Sequence, residues 1–311
     1  MVSPVSLLSI LVPALLLHVS LAEHWVKLLS FHRQNLTVVA SSGNGLSLVA
    51  GYNSGPLFFS HDGGLLWTKA NSGDGPWGTV ASRGDGGVSI AQTLDLTGSM
   101  YKSSDYGVTW SALQGTPQAY WTGLSSSFDG NIWFTTGRSA SKNVVYSSSD
   151  GGLTWSYLTN SPAIPSDDSW VGVACSFDCS VLYTASANGL IFVSRDRGLT
   201  WTLINTGLGL SSLGTSSDGS RVVTAVYLGG ILLSTNYGVS FSPTQAPSNE
   251  WQNLVIASDG SVVFAADSSG DVWKGSLNSP RLTSHRTTTS HGTTISRATK
   301  QNVVTQTHEC L

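Results

Sequence analysis

Hydrophobic residues along this chain fall in short runs of four to six, alternating with polar ones and interrupted by Gly, Asp, Asn and Ser. Leu213 to Ser217, Arg221 to Val226 and Gly230 to Ser234 are typical, with β-branched residues inside the runs and turn formers between them. A period of two over such lengths predicts strands, and no stretch keeps a helical period over a useful length. The runs also recur. Five copies of one octapeptide stand at Ser60–Trp67, Ser103–Trp110, Ser148–Trp155, Ser194–Trp201 and Ser234–Phe241, starting 43, 45, 46 and 40 residues apart. A second turn, of the type Ser-x-Asp-Gly, tracks them at Asn44, Asp85, Asp129, Asp178, Asp218 and Asp259, which makes six units. Four short strands per roughly 42 residues, repeated six times, predict an all-β fold, a six-bladed β-propeller of four-stranded antiparallel blades.

The ends of the chain show how the ring shuts. The sixth unit, Trp251 to Gly275, has three strands, and Leu277 stands where an octapeptide Asp belongs. His24-Trp25-Val26-Lys27-Leu28 resembles the fourth strands around Trp155 and Trp201. The N-terminal strand is therefore predicted to close the last blade and to leave no open sheet edge. The propeller is expected to span residues 23–278. Residues 1–22 read as a signal peptide: the apolar run Leu7 to Val19 has 13 residues, short of the roughly 20 that a membrane span needs. Ser20-Leu21-Ala22 then sets cleavage before Glu23, although no Lys or Arg precedes the run. Residues 279–311, rich in Ser and Thr without a pattern, read as a disordered tail.

Composition narrows the class further. With 11% charged and 40% hydrophobic residues, 34 Gly and 11 Trp, the body has ample core material. A net charge of −3 excludes a conventional nucleic-acid binder. Cys175 and Cys179 flank one of the Ser-x-Asp turns and suit a disulfide in an oxidising compartment. Metal binding is the weaker option there, since no second Cys or His pair is near. Cys310 is left over, and Asn35-Leu36-Thr37 is the one glycosylation sequon. These features predict a secreted monomer, glycosylated at Asn35, without stable membrane insertion after leader removal.

The octapeptide pattern Ser-x-Asp-x-Gly-x-Thr-Trp resembles the Asp-box, or BNR repeat, of sialidases, the sortilin ectodomain, xyloglucan-cleaving propellers and photosystem II assembly factors. The resemblance covers essentially the whole mature body and implies a fold more than a chemistry. Asp62, Asp105, Asp150, Asp196 and Asn236 occupy the acidic position. One carboxylate per blade, spread around a ring, cannot converge on a substrate, so these side chains are expected to close turns on following backbone N–H groups. The resemblance places ligands on the face opposite the octapeptide turns. Trp77, Trp121, Trp170 and Trp251 each precede their turn acid by eight residues, with Leu36 and Leu210 in the other two units. Near the channel mouth they would stack on sugars or grip a partner; between blades they would be core. Arg138, Asp167, Asp168 and Glu250 are the polar ligand-binding candidates, the two aspartates lying in the longest connection, residues 160–169.

Tests for chemistry mostly fail. A sialidase needs an arginine cluster and a Tyr with a partner Glu. Of nine Arg, three are in the tail and four near turns, and Glu250 is the only glutamate away from the termini. No Gly-x-Ser-x-Gly and no metal-ligand spacing occurs, so no cofactor or metal is expected. Asp95 paired with Asp167 or Asp168 keeps a glycoside hydrolase open as an alternative. The leading expectation is a secreted, non-enzymatic propeller binding a protein or glycan; a further alternative, from the family resemblance, is an assembly factor in an organelle lumen.

Overall fold

The computed structural model describes residues 24–30, 36–95, 98–140, 142–165, 167–277, 284–288 and 294–298. The expected signal peptide, the sequon residue Asn35 and Cys310 lie outside these residues. Six four-stranded antiparallel sheets form a ring, each running in chain order from an innermost strand outward. Blade I consists of Leu36–Ser41, Leu48–Tyr52, Leu57–Ser60 and Thr68–Lys69, and blade II of Trp77–Ser82, Ser89–Thr93, Met100–Ser103 and Ser111–Ala112. Blade III is Tyr120–Ser126, Trp133–Ser139, Lys142–Ser148 and Ser156–Tyr157. Blade IV is Trp170–Cys175, Leu182–Ser186, Leu190–Ser194 and Thr202–Asn205, and blade V is Leu210–Thr215, Val222–Val226, Ile231–Ser234 and Ser242–Pro243. Blade VI combines Trp251–Ile256, Val262–Asp267 and Asp271–Ser276 with the N-terminal strand His24–Ser30, which pairs with Asp271–Ser276 so that Trp25 faces Gly275. Among the described residues no helix is long and apolar enough to cross a membrane. In the C-terminal segment, Ser284–Thr288 and Thr294–Ala298 pair as a separate antiparallel hairpin.

The core lies between blades. The cluster of Val38, Val49 and Leu57 against Trp77, Val80 and Ala91, for example, joins blades I and II. Similar clusters join the other neighbours, and the sixth packs Val39, Leu48 and Ala50 of blade I on Phe264 and Val272 of blade VI. The innermost strands touch their neighbours all the way round, including the last against the first. Each of them carries a bulge near its start, between Trp77 and Thr79 in blade II and at the equivalent place in every other blade.

An inner strand is an edge strand, so its free backbone groups need partners. Neighbouring blades supply some of them. Val39 N–H donates to Asn253 Oδ1 at 3.2 Å, Leu254 N–H to Ser212 Oγ at 3.0 Å and Cys175 N–H to Ser125 Oγ at 3.1 Å. At the turn end the pairing becomes circular. Gly43 N–H donates to Gly84 O, Gly84 to Phe128, Phe128 to Phe177, Phe177 to Ser217, Ser217 to Ser258 and Ser258 back to Gly43, at 2.6–2.9 Å. Each member is the residue just before the turn Asp, or Asn44 in blade I, so six equivalent turns tie the six blades into one belt. Phe128 and Phe177 stack over this end of the channel with centroids 4.6 Å apart. Gly84 and Gly43 are the neighbours whose missing side chains leave room for the Phe128 ring. A disulfide joins Cys175 to Cys179 across the blade IV turn, with Cα atoms 4.8 Å apart.

Candidate partner-binding face

Two kinds of loop share one end of the barrel-like ring: the belt turns and the octapeptide turns. The octapeptide acids are fully engaged in local structure. In blade IV, Ser194 Oγ donates to Asp196 Oδ1 at 2.7 Å and accepts Gly198 N–H at 2.7 Å, while Thr200 donates both its N–H and its hydroxyl to Asp196. Asp105 and Asp150 repeat the arrangement; Asp62 faces Leu66 and accepts only backbone N–H groups on that side, and Asn236 accepts Ser240 N–H while its Nδ2 donates to the Ser240 hydroxyl. The threonine hydroxyl, the threonine amide and the serine hydroxyl hold the Asp150 and Asp196 carboxyls down at about 2. The fourth and fifth octapeptide positions have positive φ in every copy; Gly fills the fifth throughout, whereas the fourth holds Tyr106, Arg197 and Tyr237 as well as Gly63 and Gly151. This face is turn hardware around its whole circumference.

The central channel, about 770 Å³ with its open mouth included, is lined by small aliphatic and hydroxyl residues such as Val39, Ala81, Ser125, Ala174, Gly214 and Val255. No Asp, Glu, His, Lys or Arg contributes to that lining.

The opposite face carries the connections between blades and the loops between second and third strands. Here the four tryptophans do not present rings to a ligand. Trp77, Trp121, Trp170 and Trp251 are at most 2% exposed and pack edge-on against Tyr101, Tyr146, Phe192 and Trp273 in the seams between blades. Trp77 Nε1 donates to Gly55 O and Trp121 Nε1 to Gly98 O, carbonyls of the preceding blade. Burial of each ring stabilises a seam by about 4–6 kcal/mol as an upper bound. Sequence spacing located these positions, but it carries no sign for which way a ring turns at a bulge.

The polar candidates spread across four blades, with the Arg138 hairpin meeting the connection before blade IV where Asn143 Nδ2 donates to Asp168 O at 3.2 Å. Arg138 is exposed at the end of the long blade III hairpin, in register with Tyr120 and Asn143. Asp95 is held in its own blade II loop by Thr93 Oγ1 and Gly98 N–H, far around the ring from blade IV. Asp167 is exposed, whereas Asp168 is 2% exposed. Asp168 Oδ1 accepts Ser169 N–H at 2.8 Å and Asn188 N–H at 3.2 Å; its Oδ2 has no hydrogen-bond partner among the described residues. Glu250, half buried, accepts the Ser268 hydroxyl at 2.8 Å.

Backbone hydrogen bonds join these loops into a continuous arc over blades IV to VI. Ala187 N–H donates to Ser169 O, Leu210 to Ala187, Tyr227 to Gly209, Asn249 to Gly229 and Ser268 to Glu250, at 2.9–3.0 Å. Leu208, Tyr227 and Leu228 stand on this arc 41%, 57% and 64% exposed. Leu208 and Leu228 escaped the sequence reading, because an exposed leucine in a loop has no periodicity to mark it. Leu228 has φ +54°, a left-handed conformation disfavoured for a branched side chain.

The fold and this loop arc define a six-bladed β-propeller with one structurally uniform face and one variable face. The chain is similar to YCF48 from Cyanidioschyzon merolae, with 12% identical residues, a TM-score of 0.55 and 80% of this chain aligned to 98% of that one. It is also similar to YCF48 in a structure bound to D1 peptide, with 13% identity, a TM-score of 0.54 and 82% of this chain aligned to 95% of that one. Identities this low establish the shared fold alone. No protein-family model matches the chain, and no curated protein matches it.

Proposed function

We propose that this chain is a non-enzymatic scaffold that holds a segment of a protein partner on its connection face, as an assembly factor does. The observation carrying this reading is that YCF48, a propeller of similar fold, has been seen with D1 peptide bound. Two features of the chain support it. The channel lining lacks titratable groups, and the tryptophans that would have stacked on sugar rings are buried, which favours a protein over a glycan. We read the octapeptide turns as Asp-boxes serving the scaffold. The leader and the Cys175–Cys179 disulfide favour an oxidising compartment. Between secretion and an organelle lumen, the resemblance of the repeats to photosystem II assembly factors favours the lumen.

The test is site-specific photo-crosslinking in the native host, with the reactive residue at Tyr227 on the connection face or at Leu153 on the turn face. Discrete protein adducts from Tyr227 and none from Leu153 are expected. Equal adducts from both positions, or none from either, would refute the reading. Release of reducing sugar from a glycan panel would replace it with a hydrolase.

A further inference from the structure

We infer that the Cys175–Cys179 disulfide is a thiol-exchange site, and that its redox state sets how firmly two stacked phenylalanines cover the turn end of the channel. This lid lies on the face opposite the one proposed for a partner. Three observations on one belt turn lead to it.

Blade IV departs from the repeat. In the other five blades the residue after the turn Asp or Asn44 is glycine, at Gly45, Gly86, Gly130, Gly219 and Gly260, with φ between 71° and 77°. Blade IV places Cys179 there, at φ +54°. An L side chain in this region raises the backbone energy, which glycine avoids. The bond to Cys175 spans a sequence separation of only 4 and pins Cys179 in that conformation. A bond whose cleavage releases a disfavoured backbone belongs to the labile class of disulfides.

The second observation is what the loop encloses. Phe177 stands at its centre, 54% exposed and stacked on Phe128, and both residues border the channel. Its backbone belongs to the belt: Phe177 N–H donates to Ser217 O at 2.6 Å, and its carbonyl accepts Phe128 N–H at 2.7 Å. Cys179 N–H donates to Ser176 O at 2.9 Å and closes the same turn. When Cys179 leaves the left-handed region that bond is lost, and both belt bonds of Phe177 lose their fixed geometry.

The third observation is access. Cys179 is fully buried, whereas Cys175 borders the channel and keeps 8% exposure, so a reductant meets Cys175 first. One thiolate of a small dithiol attacks Cys175 Sγ, and Cys179 departs as a thiolate and takes up a proton. The second thiol of the reductant, deprotonated, then displaces Cys175, which also takes up a proton. Two electrons and two protons pass to the chain, and the dithiol becomes a disulfide. The Ser125 hydroxyl, donating to Cys175 Sγ at 3.5 Å, remains a partner for the freed sulfur.

The test is hydrogen–deuterium exchange of the full chain, carrying Cys310→Ser to remove the third thiol, with the bond intact and after treatment with dithiothreitol under native conditions. Alkylation followed by mass spectrometry should find both sulfurs reduced in the folded chain. Exchange should then quicken about tenfold or more at the Phe128, Phe177 and Cys179 amides, and stay unchanged at Gly43 and Ser258, belt members in blades I and VI. Cys175→Ala with Cys179→Gly supplies the residue the other blades use, so its belt amides should exchange as slowly as those of the oxidised chain, with or without dithiothreitol. A bond that stays closed under dithiothreitol would overturn the exchange site. Equal exchange at Phe128 in the two redox states, or loss of protection around the whole belt, would overturn the lid. So would an Ala–Gly variant that folds yet exchanges as fast as the reduced chain; if that variant fails to fold, the comparison of the two redox states decides.

Discussion

Closure of blade VI depends on how one aromatic ring lies on one glycine. Trp25, from the N-terminal strand, is half buried, sits 6.2 Å from Trp251 and covers Gly275, where a Cβ would fall inside its ring envelope. Complete truncation of a buried Trp costs about 3–5 kcal/mol, so Trp25→Ala, only partly buried, is expected to cost about 2–3 kcal/mol. Gly275 has no positive φ, so Gly275→Ala adds only a steric cost, about 1–3 kcal/mol for forcing the ring aside. With Trp25 removed there is nothing for that methyl to strike. The double variant should therefore be destabilised by no more than Trp25→Ala alone, which gives a coupling equal to the Gly275→Ala cost, about 1–3 kcal/mol, in a double-mutant cycle. Urea unfolding of the four proteins by far-ultraviolet circular dichroism measures this. Lys27→Ala is the comparison: its partner Asp271 is buried, so losing the pair should cost about 1–3 kcal/mol, but without coupling to Gly275→Ala. Additive costs, or a Trp25→Ala effect below about 0.5 kcal/mol, would show that the N-terminal strand does not latch the ring in this way.

Acid lability should trace to the octapeptide turns. Asp150 and Asp196 sit at about 2 in the fold, below the unfolded value of about 3.9. The unfolded chain then takes up protons first, and their contribution is complete above about pH 4 and is lost as pH falls through about 2. Asp150→Asn with Asp196→Asn, which keeps the turn as Asn236 does, should flatten the melting temperature over that window; an unchanged acid slope would rule the carboxylates out. Arg197 has φ +59° where Gly63 and Gly151 stand in other blades, so Arg197→Gly should stabilise by about 0.5–1 kcal/mol, read as a rise of about 2 °C. The Cys175–Cys179 loop is short, worth about 2 kcal/mol of chain entropy. Cys179, at φ +54°, stands where Gly45, Gly86, Gly130, Gly219 and Gly260 serve the other blades. Cys175→Ala with Cys179→Gly should then cost only about 1 kcal/mol net, and a loss above about 3 kcal/mol would contradict that balance.

The architecture was legible because repetition amplifies weak signals. A four-residue strand such as Leu57–Ser60 is ambiguous by itself, but five octapeptides and six Asp or Asn turns at a near-constant spacing fix the order of every blade. Closure was legible because Leu277 breaks the pattern at one end while Trp25 supplies it at the other. The binding face was much less so. The same regularity that located Trp77, Trp121, Trp170 and Trp251 is the mark of a structural position, and all four turn inward. Asp95 and Asp168 could be paired on paper, yet Asp95 is held within its own blade II loop while Asp168 ties the connection before blade IV to Asn188. Leu208 and Leu228 matter through exposure and backbone conformation, neither of which the letters state.

A division of labour between the faces follows from the hydrogen bonds. At the turn end, every blade contributes to the backbone belt and the octapeptide serines are buried donors to the turn acid, so a substitution there leaves a buried group without its partner and is felt as lost stability. At the connection end the loops between second and third strands vary, from residues 140–141 in blade III to residues 94–99 in blade II. Backbone groups make many of the links between them, and the side chains of Asp168, Asn249 and Glu250 add others, whereas Tyr227 is tied in through its backbone N–H and its ring is 57% exposed. Substitution of Tyr227 can therefore change what the protein holds while leaving how it folds intact. A scaffold that keeps its repeated chemistry on one face and its irregular chemistry on the other can acquire a partner without risking its core.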